Sequence, residues 1–535
     1  MSEKKSLHWA DITAEKIVRE KGDLPSYTCA SGITPSGTVH IGNFREIISV
    51  ELVVRALRQL GKNVRFIYSW DDYDVFRKVP KNMPKADVLE QHLRFPITLV
   101  PDPFDRDESY ARHHEVDVEN ILPRVGIFPE YLYQAERYQK SLYAEGMRTA
   151  LQNKEKIREI LDSVRDENHK IVGEYWPISA FCAKCNRDTT EILGYDGEYG
   201  VEYRCTECGH QTKVDLRECS EIKLGWRVDW PMRWAYEKNV FEPAGKDHHS
   251  QGGSFDTARR VCEEVYDWKS PVTFQYDFIG QKGLPGKMAS SSGYVLTLGD
   301  VLAVYQSEVT RYLFAGTRPN TEFVISFDLD VIKIYEDYDK TERIAFGVDK
   351  VKNDDVLAKE RRIYQLSQVD EAEAAALEFV PEKMPYQIPF RHLCNLLQIN
   401  SGDVDAVVRT QSEIKDWQIP RFKERCLCAW NWIREFAPEE FRFSLLDCKK
   451  FDFAENEKNA LTELRDSVLP KLDETDEKAI SSMLYDIAEK NSLEPKAFFL
   501  CVYRALIGKD QGPRLANFLK IIGSERLSKI LDLSL

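Results

Sequence analysis

Ser31-Gly32-Ile33-Thr34-Pro35-Ser36-Gly37-Thr38-Val39-His40-Ile41-Gly42-Asn43 carries the chain from a short apolar segment into an amphipathic helix. Glycines, a proline and hydroxyl side chains stand where a strand hands over to a helix N-terminus. Free backbone N–H groups and the helix dipole make such a junction a site for phosphate. Ile47, Val50, Val54 and Leu57 continue the stretch as an i, i+3, i+7, i+10 stripe, the mark of a helix with a face on a core. His40 and Asn43 stand at the mouth of that helix. Upstream, Tyr27-Thr28-Cys29-Ala30 reads as a first strand; downstream, Val64-Arg65-Phe66-Ile67-Tyr68-Ser69-Trp70 reads as the next. The quoted stretch is therefore the turn of a strand–turn–helix–strand unit, whose ligands sit at the carboxyl ends of the strands.

Asp71-Asp72-Tyr73-Asp74 follows the second strand at that edge. Its carboxylates fit a cationic substrate or magnesium, and fit equally a solvated acidic loop capping the next helix. Residues 80–172 are charged, helix-rich and broken early by prolines, as an insertion between two halves of a nucleotide-binding fold would be. Within them Asp102, Asp107, His113 and His114 are potential metal ligands, but Arg106 stands among them, and a fixed guanidinium cannot bind a cation. Cys182-Ala183-Lys184-Cys185 and Cys205-Thr206-Glu207-Cys208 are two C-x2-C pairs separated by 19 residues. Two hairpin turns at that spacing present four thiolates tetrahedrally, the pattern of a closed structural zinc site. His210 is a spare ligand.

Trp226, Trp230 and Trp234 recur at a four-residue spacing, which reads as a core stripe. Gly245-Lys246-Asp247-His248-His249-Ser250-Gln251-Gly252-Gly253 then precedes a helix expected over 254–266, and its imidazoles beside those indoles point to a pocket lining. Pro271 to Ile279 alternates apolar and polar residues, the period of a strand. After it comes Gly286-Lys287-Met288-Ala289-Ser290-Ser291-Ser292-Gly293, a Gly- and Ser-rich loop whose lysine could close over a triphosphate. Beyond about residue 344 helical patterns dominate: Leu515, Phe518, Leu519 and Ile522 form one stripe, and Leu527, Ile530 and Leu531 another. Trp417, Trp430 and Trp432 are expected in the core of that bundle rather than as stacking platforms for bases.

The chain has 535 residues, 43% hydrophobic and 30% charged, an ordinary globular balance for three or four domains. Its net charge of −14 argues against a general electrostatic coat for nucleic acid and leaves room for a local basic groove. The first twenty residues lack an apolar core, and no run approaches the ~18 apolar residues of a membrane span. Cytoplasmic residence and no membrane partner are the expectation, in keeping with scattered thiols outside the two cysteine pairs.

His40-Ile41-Gly42-Asn43 resembles the HIGH signature of class I aminoacyl-tRNA synthetases, and Lys287-Met288-Ala289-Ser290-Ser291 resembles their second signature, KMSKS. The set is closer still to the class I lysyl-tRNA synthetases. Thr34-Pro35-Ser36-Gly37, the Asp71–Asp74 segment followed by Arg77-Lys78-Val79-Pro80, the cysteine pairs, the stretch from Arg227 to Trp234, and Gly245-Lys246-Asp247-His248 all resemble that family, over roughly residues 10 to 320.

The resemblance implies an α/β Rossmann-type parallel-sheet catalytic domain with an inserted zinc-binding module, followed by an α-helical C-terminal domain. Its boundaries are a first catalytic half at 1–80, a helical and zinc-binding insertion at 81–225, a second catalytic half at 226–344 and an anticodon-binding domain at 345–535. It implies a lysine–tRNA ligase that uses ATP and Mg²⁺ to make lysyl-adenylate and passes lysine to the terminal ribose of tRNA(Lys), with Zn²⁺ as a structural ion. His40 and Lys287 would stabilise the transition state; Thr34, Pro35, Ser36, Gly37, His40, Gly42, Asn43, Lys287, Ser290 and Ser291 would hold ATP. Gly32, Thr34, Trp226, His248 and Tyr276 match positions that contact lysine, and Asp71 or Asp74 would neutralise its ammonium. Cys182, Cys185, Cys205 and Cys208 would hold the zinc. Two departures stand out: Ser290 replaces the second lysine of KMSKS, and the cluster at Asp102 to His113 is disrupted. A class I synthetase for glutamate or arginine shares the signatures, a non-catalytic tRNA-binding paralogue is the alternative outside enzymes, and cytidylyltransferases have a similar turn. The sequence is silent on oligomeric state; a monomer is the default.

Overall fold

The computed structural model describes residues 8–250, 252–283, 295–448 and 450–534. Lys287, Ser290 and Ser291, with the rest of the second signature, lie outside the described residues, as does Gln251. The chain divides into two compact units, one of residues 1–302, 307–325 and 341–381, the other of 303–306, 326–340 and 382–535.

The first unit is built on a sheet of four parallel strands. β1 (Tyr27–Ile33) continues past the expected end at Ala30, α1 (Ile41–Gln59) follows the glycine-rich turn, and β2 (Val64–Trp70) has the expected bounds. With β3 (Glu130–Tyr133) and β4 (Asn239–Phe241) the order is β3–β2–β1–β4, all pairings parallel. Residues 27–31 of β1 are all buried, as befits a strand covered on both faces. Beyond β4 the sheet continues raggedly: Phe241 bridges Val272, Ala244–Gly245 pairs with Gln275–Tyr276, and Ile279–Gln281 pairs with Phe323–Ile325, each in parallel. The strand expected over 271–279 is thus interrupted at Asp277 and Phe278. Their carbonyls accept from the Arg45 guanidinium, at 2.8 and 3.1 Å, instead of joining a ladder.

α1 departs from a simple amphipathic helix. Ile47, Val50, Val54 and Leu57 are buried, but so are Ile48, Leu52, Val53 and Ala56, so the helix runs inside the unit. Its buried charges are paired. Glu51 meets Arg55 one turn on and Arg311 at 2.7 Å, and Arg311 also donates to the carbonyls of Leu366 and Val125 at 3.0 and 2.7 Å. Removing one member of such a set leaves an uncompensated charge, at a cost of about 3–5 kcal/mol. Because Arg311 ties into residue 366, the unit extends to Pro381, past the expected boundary at 345.

The cysteine segment forms an antiparallel three-stranded ribbon of Thr190–Tyr195, Gly200–Cys205 and Gln211–Asp215, beside the pair Ile178–Ala180 and Ile222–Leu224. The second unit is helical among its described residues, its helices joined by connections of which the longest runs from 436 to 454. Leu515, Phe518, Leu519, Ile522, Leu527, Ile530 and Leu531 share one core, as their stripes imply. Trp432 is fully buried and donates to Phe327 O at 2.8 Å, whereas Trp417 is 55% exposed and so is not the core residue expected. No helix among the described residues is long and apolar enough to cross a membrane.

Candidate active site

His40 is the N-cap of α1. Its Nδ1 accepts the Gly42 N–H at 3.1 Å while Asn43 Oδ1 accepts the His40 N–H at 3.1 Å, a reciprocal capping box. The box fixes the imidazole against the first turn of the helix and directs its other edge away from it. A Cβ at Gly42 would lie 2.9 Å from that ring, so the signature glycine makes room for the cap. Gly32, at the end of β1, has the same kind of reason: a Cβ there would stand 2.7 Å from Ser69 O on β2.

Two cavities open along this edge. The first, about 220 Å³, is a mostly apolar slot lined by Thr38, Val39, His40, Phe44, His114 and Leu298 among others. His114 is buried, its pKa pushed down to about 3 by desolvation, and its Nε2 has no hydrogen-bond partner among the described residues. The second, about 460 Å³, lies at the carboxyl ends of β1 and β2 and reaches Gly32, Thr34, Asn43, Asp71, Trp226, His248 and Tyr276. Tyr68 lines both. Of the predicted lysine-contact positions, the structure brings every one to this second cavity.

α2 (Trp226–Glu237) spreads its tryptophans over different surroundings. Trp234 is fully buried and Trp230 half-buried, and their indole N–H groups both donate to Glu242, each at 2.7 Å. Trp226, 47% exposed, stands at the cavity mouth with the Arg227 guanidinium 4.5 Å over its ring. The core stripe holds for one indole of three. His248 Nδ1 and Ser254 Oγ are 2.6 Å apart, which fixes the imidazole at the start of the helix Ser254–Glu264.

The acidic segment after β2 is not a uniformly solvated loop. Asp72 is buried, accepts the Ala135 N–H at 2.8 Å, and is pushed up to about 8 by desolvation. Asp71 receives the Arg233 guanidinium at 2.8 Å, and Asp74 lies 3.3 Å from Arg77 and 3.5 Å from Lys223. Glu46, Glu242 and Arg233 are pocket residues that the sequence did not single out. Glu46 sits one helical turn after Asn43, on the same face of α1 as that residue of the first signature, and that was its one signal.

The residues on either side of the second signature are held to α1. Before it, Arg45 grips the carbonyls of Asp277 and Phe278, along with those of Arg318, Pro319 and Thr321. After it, Leu296 O accepts the Ile41 N–H at 2.8 Å. The ends of that segment therefore converge on the helix that His40 caps.

Cys182 and Cys208 Sγ are 3.6 Å apart, as are Cys185 and Cys205 Sγ, and the four form one cluster. Bonds of ~2.3 Å in a tetrahedron place sulfurs about 3.8 Å apart, so this donor set fits Zn²⁺. His210 is not part of the cluster. Asp102, Asp107 and His113 also gather, without His114. The Arg106 guanidinium lies 3.1 Å from His113 Nδ1, the ring nitrogen that faces Asp102 and Asp107, so a fixed cation stands against this trio where a metal would sit.

The second unit carries a cavity of its own, about 710 Å³, with Arg391, Arg442, Lys509 and Arg514 around the aromatic rings of Phe441 and Phe443.

Residues 7–370 match the family model for class I tRNA synthetases (K), and residues 431–532 match that for an anticodon binding domain. The chain is 56% identical over 530 residues to a lysine–tRNA ligase of Treponema pallidum (strain Nichols), with 99% of each chain covered. It is 52% identical to one from Borreliella burgdorferi, covering 98% of this chain and 99% of that one. To one from Thermococcus kodakarensis it is 39% identical, again covering 98% and 99%.

Proposed function

Because the chain belongs to the class I lysine tRNA synthetases, we propose that the two cavities sharing Tyr68 hold the two halves of an adenylation reaction, ATP in the apolar slot and lysine in the larger pocket. The chain is a lysine–tRNA ligase. The lysine carboxylate attacks the α-phosphorus of ATP in line, pyrophosphate leaves, and a ribose hydroxyl at the tRNA terminus then takes the lysyl group while AMP departs. Such chemistry asks the protein mainly to position reactants and to stabilise developing charge.

The adenine enters the slot beside Val39, Phe44 and Leu298, where the orphaned His114 Nε2 offers it a polar contact. Thr34, Pro35, Ser36 and Gly37 shape the turn over the phosphates. His40, Gly42 and Asn43 present the start of α1, where the dipole and the imidazole meet the charge growing on the α-phosphate. Lys287, Ser290 and Ser291 take the departing pyrophosphate, and Mg²⁺ accompanies the nucleotide. Gly32, Thr34, Asp71, Trp226, His248 and Tyr276 line the lysine pocket, where indole faces favour an ammonium. Zn²⁺ on Cys182, Cys185, Cys205 and Cys208 holds the inserted ribbon together, a closed site with no part in the reaction. The second unit binds the anticodon end of tRNA, with the Arg391, Arg442, Lys509 and Arg514 cavity as its contact surface. Free thiols throughout the described cysteines suit a cytoplasmic enzyme.

The observation that carries this reading is the adjacency of the two cavities at the strand ends beside the His40-capped helix. ATP–pyrophosphate exchange, run with each of the twenty amino acids in the presence of tRNA(Lys), tests it. Lysine drives exchange; absence of exchange with lysine, or equal exchange with arginine or glutamate, removes it.

A further inference from the structure

Cations gather around the larger pocket, and the protein answers most of them itself. Arg233 is held by Asp71 at 2.8 Å and by Asp229 at 2.9 Å, Arg77 and Lys223 share Asp74 at 3.3 and 3.5 Å, and Lys246 faces Asp277 at 3.5 Å. Arg227, on the first turn of α2, is different. Among the described residues no carboxylate stands within ion-pair distance of it and its guanidinium donates no hydrogen bond; what it touches is the ring of Trp226 at the pocket mouth, 4.5 Å beneath it. A second guanidinium stands near. Burial, and then the charge of Arg165, lower the pKa of Arg227. Arg165 has Asp162 at 3.4 Å, but that carboxylate also faces Arg158 at 3.8 Å and accepts the Ile171 N–H at 3.0 Å. Positive charge is therefore in excess at this point of the rim, and an incoming anion would relieve it.

We propose that Arg227, backed by Arg165, binds the last phosphodiester of the tRNA acceptor end and so holds the terminal ribose at the mouth of the lysine pocket for the transfer step. The inference rests on the lysine–tRNA ligase reading and adds to it the groups that grip the end of the nucleic acid. The nucleotide whose hydroxyl takes the lysyl group carries a phosphate on its 5′ side. When that hydroxyl reaches the pocket, an anion stands within one nucleotide of it, and Arg227 lies over the ring that borders the pocket there. A guanidinium offers a planar fork of N–H donors that fits phosphate oxygens in pairs. The Trp226 face beneath it limits the ways that fork can turn. Arg227 takes part in no bond change; a contact of this kind fixes register and orientation without reading a base.

The test pairs a change in the protein with a change in the RNA. tRNA(Lys) is made with its last phosphodiester replaced by an uncharged methylphosphonate, and charging with lysine is measured on both RNAs. With the natural enzyme the neutral linkage lowers kcat/KM for tRNA about tenfold. Arg227→Gln lowers it about tenfold with natural tRNA(Lys) and less than about twofold with the neutral RNA, whose contact is already gone. Arg165→Gln gives a smaller loss of about threefold with the same dependence on the linkage. Losses that multiply when both changes are combined overturn the proposal, as does a neutral linkage without effect on the natural enzyme. A rise in the KM for lysine that ignores the linkage also overturns it, being the mark of an arginine that merely props Trp226. So does weaker inhibition by inorganic pyrophosphate in Arg227→Gln with charging of the two RNAs unaltered, the mark of a site for a free anion. If Arg227→Gln does not fold, Arg165→Gln and the neutral linkage on the natural enzyme decide by the same criteria. Failure of the ligase reading is distinct, since the natural enzyme then puts no lysine on natural tRNA(Lys) at all.

Discussion

His40 combines two jobs that substitutions can separate. Its Nδ1 caps α1, and it also lines the apolar slot proposed for ATP. His40→Ala loses the cap, worth about 0.5–2 kcal/mol, and slows adenylation by about 10²–10³-fold with little change in lysine affinity. His40→Asn keeps an acceptor at the N-cap, so thermal melting returns toward the natural value while the exchange rate stays low. Asp72 gives a second separation, through pH. An unfolded Asp titrates near 3.8 and burial lifts this one to about 8, so between those values the folded chain holds a proton that the unfolded chain has released. Stability therefore falls as pH rises across that window. Asp72→Asn still offers an oxygen to the Ala135 N–H and carries no such slope. Its urea midpoint gains on the natural protein between pH 5 and pH 8, by on the order of 1–3 kcal/mol in stability. The sequence announced His40, because a cap and a signature coincide there. It could not announce that Asp72 is structural while Asp71 faces the pocket, since alternation along the chain says nothing about which carboxylate meets Arg233, 162 positions away.

Among the elements, the strand–turn–helix–strand unit was legible because its cues are local: glycines and hydroxyls at the turn, apolar runs on either side. The strand after Pro271 was not, because its interruption is made by Arg45, far off in sequence, and the alternation of Pro271 to Ile279 continues straight through it. The cysteine ribbon lies between these cases. Its spacing is a local cue to a metal, and the fold supplies sulfur separations that fit one. Zinc analysis of the purified protein should find about one ion per chain in this site. Cys208→Ser, or treatment with a strong chelator, should release it and open the ribbon to proteases before the KM for lysine changes, as limited proteolysis with mass mapping will show.

For the whole molecule, the net charge of −14 hides a cationic cavity in the helical unit. Its arginines and lysine come from separate stretches, at 391, 442, 509 and 514, so no basic run marks them in the sequence. Arg514→Ala should weaken tRNA(Lys) binding several-fold and lower its log–log salt slope by about one, while calorimetric affinities for lysine and ATP stay within twofold; filter binding at several salt concentrations measures the first.

Arg45 donates to five carbonyls, those of Asp277, Phe278, Arg318, Pro319 and Thr321, while its guanidinium lies 5.2 Å over the Phe323 ring. Main-chain oxygens persist whatever residue bears them, so the contact has a lopsided tolerance. Drift at the five acceptor positions leaves the guanidinium's grip unchanged, whereas any replacement at the donor, lysine included, forfeits several bonds at once. A saturation library scored for charging should therefore show one intolerant column at 45 facing more permissive ones wherever that contact is the acceptor position's main constraint.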